Sequence, residues 1–516
     1  MVDSNRIFFL SAVAGGSGDI TFCAELLSIL LQKEEVDSLF LAVCKQAGGD
    51  VAVSFLSLKA STLSLLPTLA SLWRSKIKAI RLFERRDNCD NPLFDVSLSI
   101  LSRSYDKDVV IIEPEDQALL KSLWDQEREP LTVAVQCPLR VISSSKDLLP
   151  HIICGRGGDK NTATSFPLRL VTIREFGQSR FSSLSATQGV STNDKDEDVD
   201  VSAGLGQDEL GVFGLERRKR RIASATSTAH DDRMIEQEQQ QNQRLLFLQH
   251  LTSSFVKTYL LEGGYYACGY FRTVRDALPF GRSISLFLKS YPALTSLLVF
   301  LPIENDNSNN MFISFFIRGL ISTGMFSSSI SSSSSSSPSS SFQLRRIPID
   351  GLCDDDETRC NPSTITIHVE NSMELGLPLQ AFRDFLAGSF MSVVTGDMTL
   401  NEALVNRSPY YYSMEGHKLF VKESLYRLVQ ERVAMKEKPE SIVASFWEFI
   451  ENRGAAQHLS AAASSSSSSS SSGSGSVFPY SWNELEAAFM QVSTNILAKY
   501  GHLGEKICER LLNTQK

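Results

Sequence analysis

Two glycine-containing turns, each placed between an apolar run and a helix-like stretch, hold the residues best suited to chemistry. In the first, Gly15, Gly16, Ser17 and Gly18 lead to Asp19 after the run Ile7 to Val13, and a helix is expected from Ile20. Glycines let a backbone turn through positive φ and approach a ligand closely, and the open N–H groups of a following helix favour an anion. Asp19, at the mouth of that loop, is the candidate general base. In the second turn, Thr395, Gly396, Asp397, Met398, Thr399, Leu400, Asn401, Glu402 and Ala403 follow the run Phe390 to Val394. Gly396 permits a tight turn, and Thr399 can cap a helix and offer its hydroxyl to a phosphate. Thr399 and Glu402 also stand at the spacing of a capping box, so a plain helix start is one reading. In the other, Thr399 and the N–H groups of Met398 to Leu400 hold a diphosphate, while Glu402 or Asp397 binds ribose or sugar hydroxyls.

The first turn is not a Walker A loop, because no Gly-Lys-Ser/Thr follows it, and the third glycine of a dinucleotide fingerprint is missing there. His417 and Lys418 can offset phosphate charge, or simply be solvated at a helix start. Tyr265, Tyr266 and Tyr270, beside Gly263, Gly264 and Gly269, can stack on a base or serve packing. Glu113 and Gln136 stand near the ends of expected strands, where open α/β sheets bind ligands. The sequence offers no Ser-His-Asp arrangement and no clustered metal ligands. Cys353 and Cys360 are too isolated for a zinc site, which needs closer pairs and more of them.

The elements that must position these residues alternate between strand and helix. Ile7 to Val13, Ser38 to Val43, Val109 to Ile112 and Leu131 to Gln136 read as short, near-continuously apolar strands, as a parallel sheet covered on both faces requires. Thr21 to Gln32 has helical spacing, and Ser54 to Leu82 is expected to be helical throughout. After a helix over Leu245 to Leu261 a second series begins. Tyr265 to Phe271, Thr295 to Leu301, Thr364 to Glu370, Phe390 to Val394 and Pro409 to Tyr412 are strands. Gly281 to Lys289, Pro378 to Leu386, His417 to Arg432 and Glu440 to Asn452 are helices, and Trp482 to Leu512 is one last amphipathic helix.

Composition divides the chain further. Residues 155–236 carry an acidic run from Asp194 to Asp198 and a basic cluster from Arg217 to Arg221, and are expected to be a largely disordered insertion. The basic cluster reads as a solvated charge run, or as a nuclear-import or anion-binding patch. The expected organisation is an N-terminal Rossmann-like domain over 1–154, that insertion, a helical connection over 237–262, and a second Rossmann-like domain over 263–453. A serine-rich insertion over 304–342 interrupts the second domain, and a serine-rich linker over 454–480 leads to a C-terminal helix over 481–516. The fold class is therefore α/β, with two Rossmann-like domains facing a cleft.

A chain of 516 residues has room for two such domains. The net charge of −8 argues against a nucleic-acid partner, which needs a basic face. The nine cysteines are odd in number and several fall in apolar runs, which fits reduced thiols and a cytoplasmic location. The polar start, Met1 to Arg6, does not suggest a signal peptide, and the apolar run from Ala293 to Pro302 is too short for a membrane span.

The segment from Thr395 to Ala403, with Pro409, Tyr410, Tyr411, Tyr412, His417 and Lys418, resembles the donor-binding region of GT-B glycosyltransferases. In motif pattern the chain is most similar to the elongation factor P arginine rhamnosyltransferase family. That family's first loop, Asp-Asn-Phe-Gly-Asp-Ile-Gly, is echoed by Gly15 to Thr21, and its donor loop, Arg-Gly-Glu-Asp-Ser-Phe, by Thr395 to Leu400. Asp19 then matches the second acid of the first loop, while the family's proposed catalytic base is replaced by Gly15. Asp397 stands for the donor-loop Glu, Thr399 for its Ser, and Met398 replaces the middle acid. The resemblance implies transfer of a sugar from a nucleotide diphosphate sugar to an unidentified acceptor, with Asp19 as base and inversion at the sugar. Donor contacts fall to Thr395–Leu400, Glu402, Tyr412, His417 and Lys418. Such enzymes hold the departing diphosphate with helix N-termini and basic side chains, which implies no metal and no cofactor beyond the nucleotide sugar. A nucleotide-sugar epimerase, acting on the donor alone, and a non-catalytic binding or scaffold protein that keeps the fold are the alternatives; Gly15 and Met398 in place of acids favour the latter.

Overall fold

The computed structural model describes residues 5–13, 17–46, 51–85, 93–95, 131–137, 168–174, 199–202, 247–303, 310–333, 340–346, 364–372, 375–413, 419–435, 437–451, 478–501 and 503–512. Two compact units emerge, one formed by Met1–Glu216 with Tyr500–Lys516 and the other by Arg217–Lys499.

The first unit is built on strands β1 (Asn5–Val13), β2 (Val36–Gln46), β3 (Ile77–Arg85), β4 (Leu93–Asp95), β5 (Leu131–Cys137), β6 (Leu168–Arg174) and β7 (Val199–Ser202). Their order in the sheet is β4-β3-β2-β1-β5-β6-β7, parallel throughout except for the β4 edge. The first strand is thus central, the next two lie to one side, and the later ones to the other, which is the doubly wound dinucleotide order. Helices α1 (Ser17–Gln32), α2 (Val51–Leu65) and α3 (Leu69–Lys76) connect the early strands. Burial of α1 is almost continuous from Phe22 to Leu31 because α2, α3 and a helix from the far end of the chain all pack on it. That helix is α12 (Leu503–Leu512), whose Leu503, Ile507, Cys508 and Leu511 form one buried stripe, with Glu505 paired to Lys33.

In the second unit a Ser253 cap, accepting from the Val256 amide at 3.3 Å, starts α4 (Ser254–Leu261). Strands β8 (Tyr266–Tyr270), β9 (Ser296–Leu301), β10 (Phe326–Ser333), β11 (Ser340–Arg346), β12 (Thr364–Asn371), β13 (Ser392–Val394) and β14 (Tyr410–Tyr412) form a sheet of order β10-β11-β12-β9-β8-β13-β14. The run from β12 to β14 is parallel, and β10 and β11 add an antiparallel edge. Again the first strand, β8, is central. From β8 the chain steps outward to β9, crosses to the far edge at β10, comes back through β11 to β12 beside β9, and then passes to β13 on the opposite side of β8, so the strand order reverses between β8 and β13.

Helices α5 (Ala277–Ser290), α6 (Asn310–Ser322), α7 (Leu379–Gly388), α8 (Asp397–Asn406), α9 (Leu419–Ala434), α10 (Lys438–Glu451) and α11 (Trp482–Tyr500) complete the unit. The first two of these cross at a pair of glycines: a Cβ on Gly281 would meet the Phe316 carbonyl oxygen at 2.1 Å, and one on Gly319 the Leu278 oxygen at 2.3 Å. Only hydrogen at both positions lets the backbones approach that closely. The aromatic core behind them stacks Phe287 on Phe390 at 3.7 Å, with Trp482 edge-on to both.

Several expected boundaries move. Strands β6 and β7 fall within the segment 155–236, because Leu168, Leu170, Val171, Ile173, Val199 and Val201 supply local apolar runs that a segment-wide composition averages away. Likewise α6 and β10 fall within the segment 304–342; Phe312, Phe316 and Leu320, at helical spacing, are buried there. The stretch Ser54 to Leu82 ends in β3 instead of continuing as helix, and the helix expected over Leu245 to Leu261 is interrupted over 249–253 and resumes as α4 after the Ser253 cap. The single C-terminal helix is two, α11 and α12, parted at Gly501, and the second belongs to the first unit. The expected strand Val109 to Ile112, Glu113, Cys353 and Cys360 lie outside the described residues.

Candidate functional site

Ligands of open α/β sheets bind outside the carboxyl ends of the strands where the strand order reverses. In the second unit that place lies between the ends of β8 and β13, and the Thr395 turn leaves β13 there. Thr395 is buried, and Gly396 follows with φ 92° and ψ 152°, a conformation that favours glycine. Helix α8 begins immediately after it, at Asp397, and Leu400 N–H makes the first intrahelical bond to Gly396 O at 3.0 Å. The N–H groups of Asp397, Met398 and Thr399 therefore precede any intrahelical acceptor and sit at the positive end of the helix.

This start corrects the capping-box reading. The helix opens two residues before Thr399, so Thr399 lies inside its first turn. Its hydroxyl donates to Gly396 O at 2.9 Å and to Thr395 O, both backbone acceptors of its own turn. Glu402, expected either to cap or to bind a ribose or sugar, instead pairs with Arg383 of α7 at 2.6 Å, with side chains only 7% and 12% exposed. Met398 and Leu400 point into the core, and Tyr412 is buried in β14. Among these donor-loop residues the structure thus brings a positive-φ glycine turn and a helix N-terminus to the reversal point, while the side chains of Thr399, Glu402 and Tyr412 are engaged within the fold. His417 and Lys418 lie outside the described residues.

A second loop, which the sequence reading passed over, converges on the same strand ends. After β8 the chain runs through a single 3-10 turn, Val274–Asp276, into α5. Asp276 is 6% exposed. Its Oδ2 accepts from the Thr273 hydroxyl in its own loop and from the Ser413 hydroxyl at the end of β14. Ser413 in turn donates its N–H to Val394 O at 2.8 Å, one residue before Thr395. Burial pushes the Asp276 carboxyl above its ordinary range, opposed by the two hydroxyls and the Lys422 charge and assisted by Glu451. Beside it, buried Lys422 of α9 pairs with Glu451 of α10, donates to the Tyr411 hydroxyl at 3.0 Å and sits 4.5 Å from that ring's centre. Tyr426 donates to the same Glu451 at 2.8 Å. Another tie crosses the strand ends where Ser372, after β12, donates to Gly269 O at 2.9 Å. The sequence signal for Asp276 was a hydroxyl three residues ahead of an acid at a strand exit; its decisive partner, Ser413, is far away along the chain.

The tyrosines near β8 serve packing. Tyr266 donates to Phe385 O at 2.6 Å and stacks on Phe385, and Tyr270 meets Phe382 edge-on. Tyr265 is 44% exposed beside Phe287 and Tyr291.

In the first unit, Gly15 and Gly16 lie outside the described residues. The helix α1 starts at Ser17, earlier than the expected Ile20, so Gly18 and Asp19 belong to its first turn. Asp19 is half-buried there, where the helix dipole favours an anion. Gln136 stands near the end of β5, in register with Ile173 of β6. Among the described residues no group of His, Cys, Asp and Glu could hold a metal ion, and no helix is long and apolar enough to cross a membrane.

No protein-family profile and no curated protein sequence matches the chain. Among solved structures it is similar to the N-terminal domain of trehalose-6-phosphate phosphatase from Candida albicans, at 11% identity and a TM-score of 0.35 over 99% of this chain and 97% of that one. It is also similar to an α,α-trehalose 6-phosphate synthase from Burkholderia multivorans, at 10% identity and a TM-score of 0.35 over 99% and 98%. A glycosyl transferase of family 9 from Veillonella parvula matches at 7% identity and a TM-score of 0.28 over 80% of each chain. Likenesses at this level assign no activity; the doubly wound class rests on the strand order of the chain itself.

Proposed function

We propose that the chain is a GT-B-like glycosyltransferase whose second unit binds the diphosphate of a nucleotide sugar at the N-terminus of α8. The observation that carries this reading is the Gly396 turn, with φ 92°, opening a helix at the point where the strand order of the sheet reverses. An anion there meets backbone N–H groups and the positive end of the helix, which would stabilise a departing diphosphate without a metal. Two doubly wound units in one chain supply the two folds that a donor and an acceptor need. Asp19, in the first turn of α1, is assigned as the base that takes the proton of the acceptor nucleophile, giving inversion at the sugar. The loop echoes of the arginine rhamnosyltransferase family support a protein acceptor. The buried free thiol at Cys268 supports a reducing, cytoplasmic setting.

The test is a transfer assay with a panel of nucleotide sugars, run beside a thermal-shift screen with nucleoside diphosphates. Stabilisation by one nucleotide, lost in Gly396→Ala, together with loss of transfer in Asp19→Ala, is the expected result. Transfer unchanged in both variants sinks the assignment. One observation favours a non-catalytic nucleotide-binding relative: Thr399, Glu402 and Tyr412 all turn inward. In that case a nucleotide binds and no transfer occurs.

A further inference from the structure

Asp276 is the one acid among the described residues whose side chain ties the exit of β8 to the exit of β14, reaching across the end of β13 where the strand order reverses. Both of its hydrogen bonds fall on Oδ2, one from Thr273 and one from Ser413. Its Oδ1 takes no hydrogen bond from the described residues. Asp276 is the N-cap residue of α5, yet its side chain makes no cap bond there. A carboxyl that is 6% exposed, with one oxygen clamped by two hydroxyls and the other unused, is an acceptor set in place for something else. The nearest charges belong to Lys422 of α9 and Glu451 of α10, and these two satisfy each other.

Resting on the donor site assigned above, the geometry points to Asp276 as a ligand-reading residue whose Oδ1 accepts a hydrogen bond from a ring hydroxyl of the nucleotide sugar, on the ribose or on the transferred sugar. The two hydroxyls fix the carboxyl plane so that the remaining lone pairs have one direction, which favours a hydroxyl at one position of the ring. Burial also raises the cost of keeping this group ionised, a cost that Asn in its place would not carry. A purely structural acid replaced by its isosteric amide would move stability and binding together; a ligand-reading acid separates them.

The experiment uses the full chain and Asp276→Asn, with titration calorimetry against UDP, GDP and dTDP and their glucose or rhamnose conjugates. Replacing a charged acceptor by a neutral one should weaken binding roughly tenfold, while the melting temperature holds or rises. A loss shared by the free diphosphate and its conjugate assigns the contact to ribose, and a loss confined to the conjugate assigns it to the sugar. Should Asp276→Asn fail to fold, Ser413→Ala loosens the clamp and is expected to weaken binding a few-fold at unchanged fold, again with unchanged affinity counting against the idea. Wild-type affinity in the variants, when Gly396→Ala has lost binding, overturns the role of Asp276 and leaves the donor site standing. Absence of binding by the wild-type chain to every probe overturns both.

Discussion

The helix after β1 and the helix after β13 each start at the end of a strand beside the reversal of strand order, yet the two starts are built differently. In the first unit the acid is carried by the helix itself: Asp19 sits in the first turn of α1, and Gly18 occupies a helical position with open space around it. In the second unit the glycine carries the shape of the turn at φ 92°, and Glu402 of α8 is used elsewhere, paired to Arg383. The acid at that site comes from another loop, through Asp276 and Ser413. Each unit thus has a helix N-terminus at its reversal of strand order, and separate choices decide which chain segment brings the charge.

That contrast can be broken or sharpened by substitution. The largest effect is expected where the second unit surrounds its charge: Lys422→Met leaves Glu451 buried without its cation and should cost about 3–5 kcal/mol in chemical denaturation. Glu451→Gln with Lys422→Met should recover much of that loss, and no recovery would show that the pair is not the source. Next comes Gly281→Val, which drives a side chain into the Phe316 carbonyl and should cost about 3 kcal/mol, or prevent folding of the second unit. The glycines of the two turns then give the direct comparison. Gly396→Ala should lose about 1–3 kcal/mol through its positive φ. Gly18→Ala, by contrast, should be neutral or gain up to about 0.5 kcal/mol, because Gly18 lies in the first turn of α1 with open space around it. Equal responses at the two sites would end the distinction between them.

The smallest effect is a pH dependence. Because burial raises the Asp276 carboxyl in the folded chain, the folded state holds its proton more tightly than the unfolded one, so stability attributable to this group falls as pH rises through the raised value. Asp276→Asn should therefore melt above the wild type near pH 7. The gap should close as pH is lowered toward the ordinary carboxylate value of 3.8. A gap that widens in acid would contradict the burial argument.

Local patterning made the doubly wound class legible. Strict alternation over Thr364 to Glu370 and the aromatic run Tyr410 to Tyr412 both mark strands that exist. Serine has little strand preference, so β10 could not be read from its own residues; it forms because β11 offers an antiparallel partner, with Ser331 opposite Gln343. The start of α8 was misplaced because Thr-x-x-Glu spacing imitates a capping box, whereas Gly396 in a positive-φ conformation opens the helix first. Asp276 was silent because its meaning depends on Ser413, and the sheet alone brings those two together.

The return of α12 to the first unit has a consequence for synthesis. Its Leu503, Ile507, Cys508 and Leu511 complete the cover of that unit, and α1, made near the beginning, waits for them. As domains ordinarily fold in the order in which they emerge from the ribosome, the second unit is expected to reach its final packing while the first still exposes part of α1. A chain stalled before residue 503 would hold a finished second unit behind an unfinished first, the state in which a chaperone has most to protect.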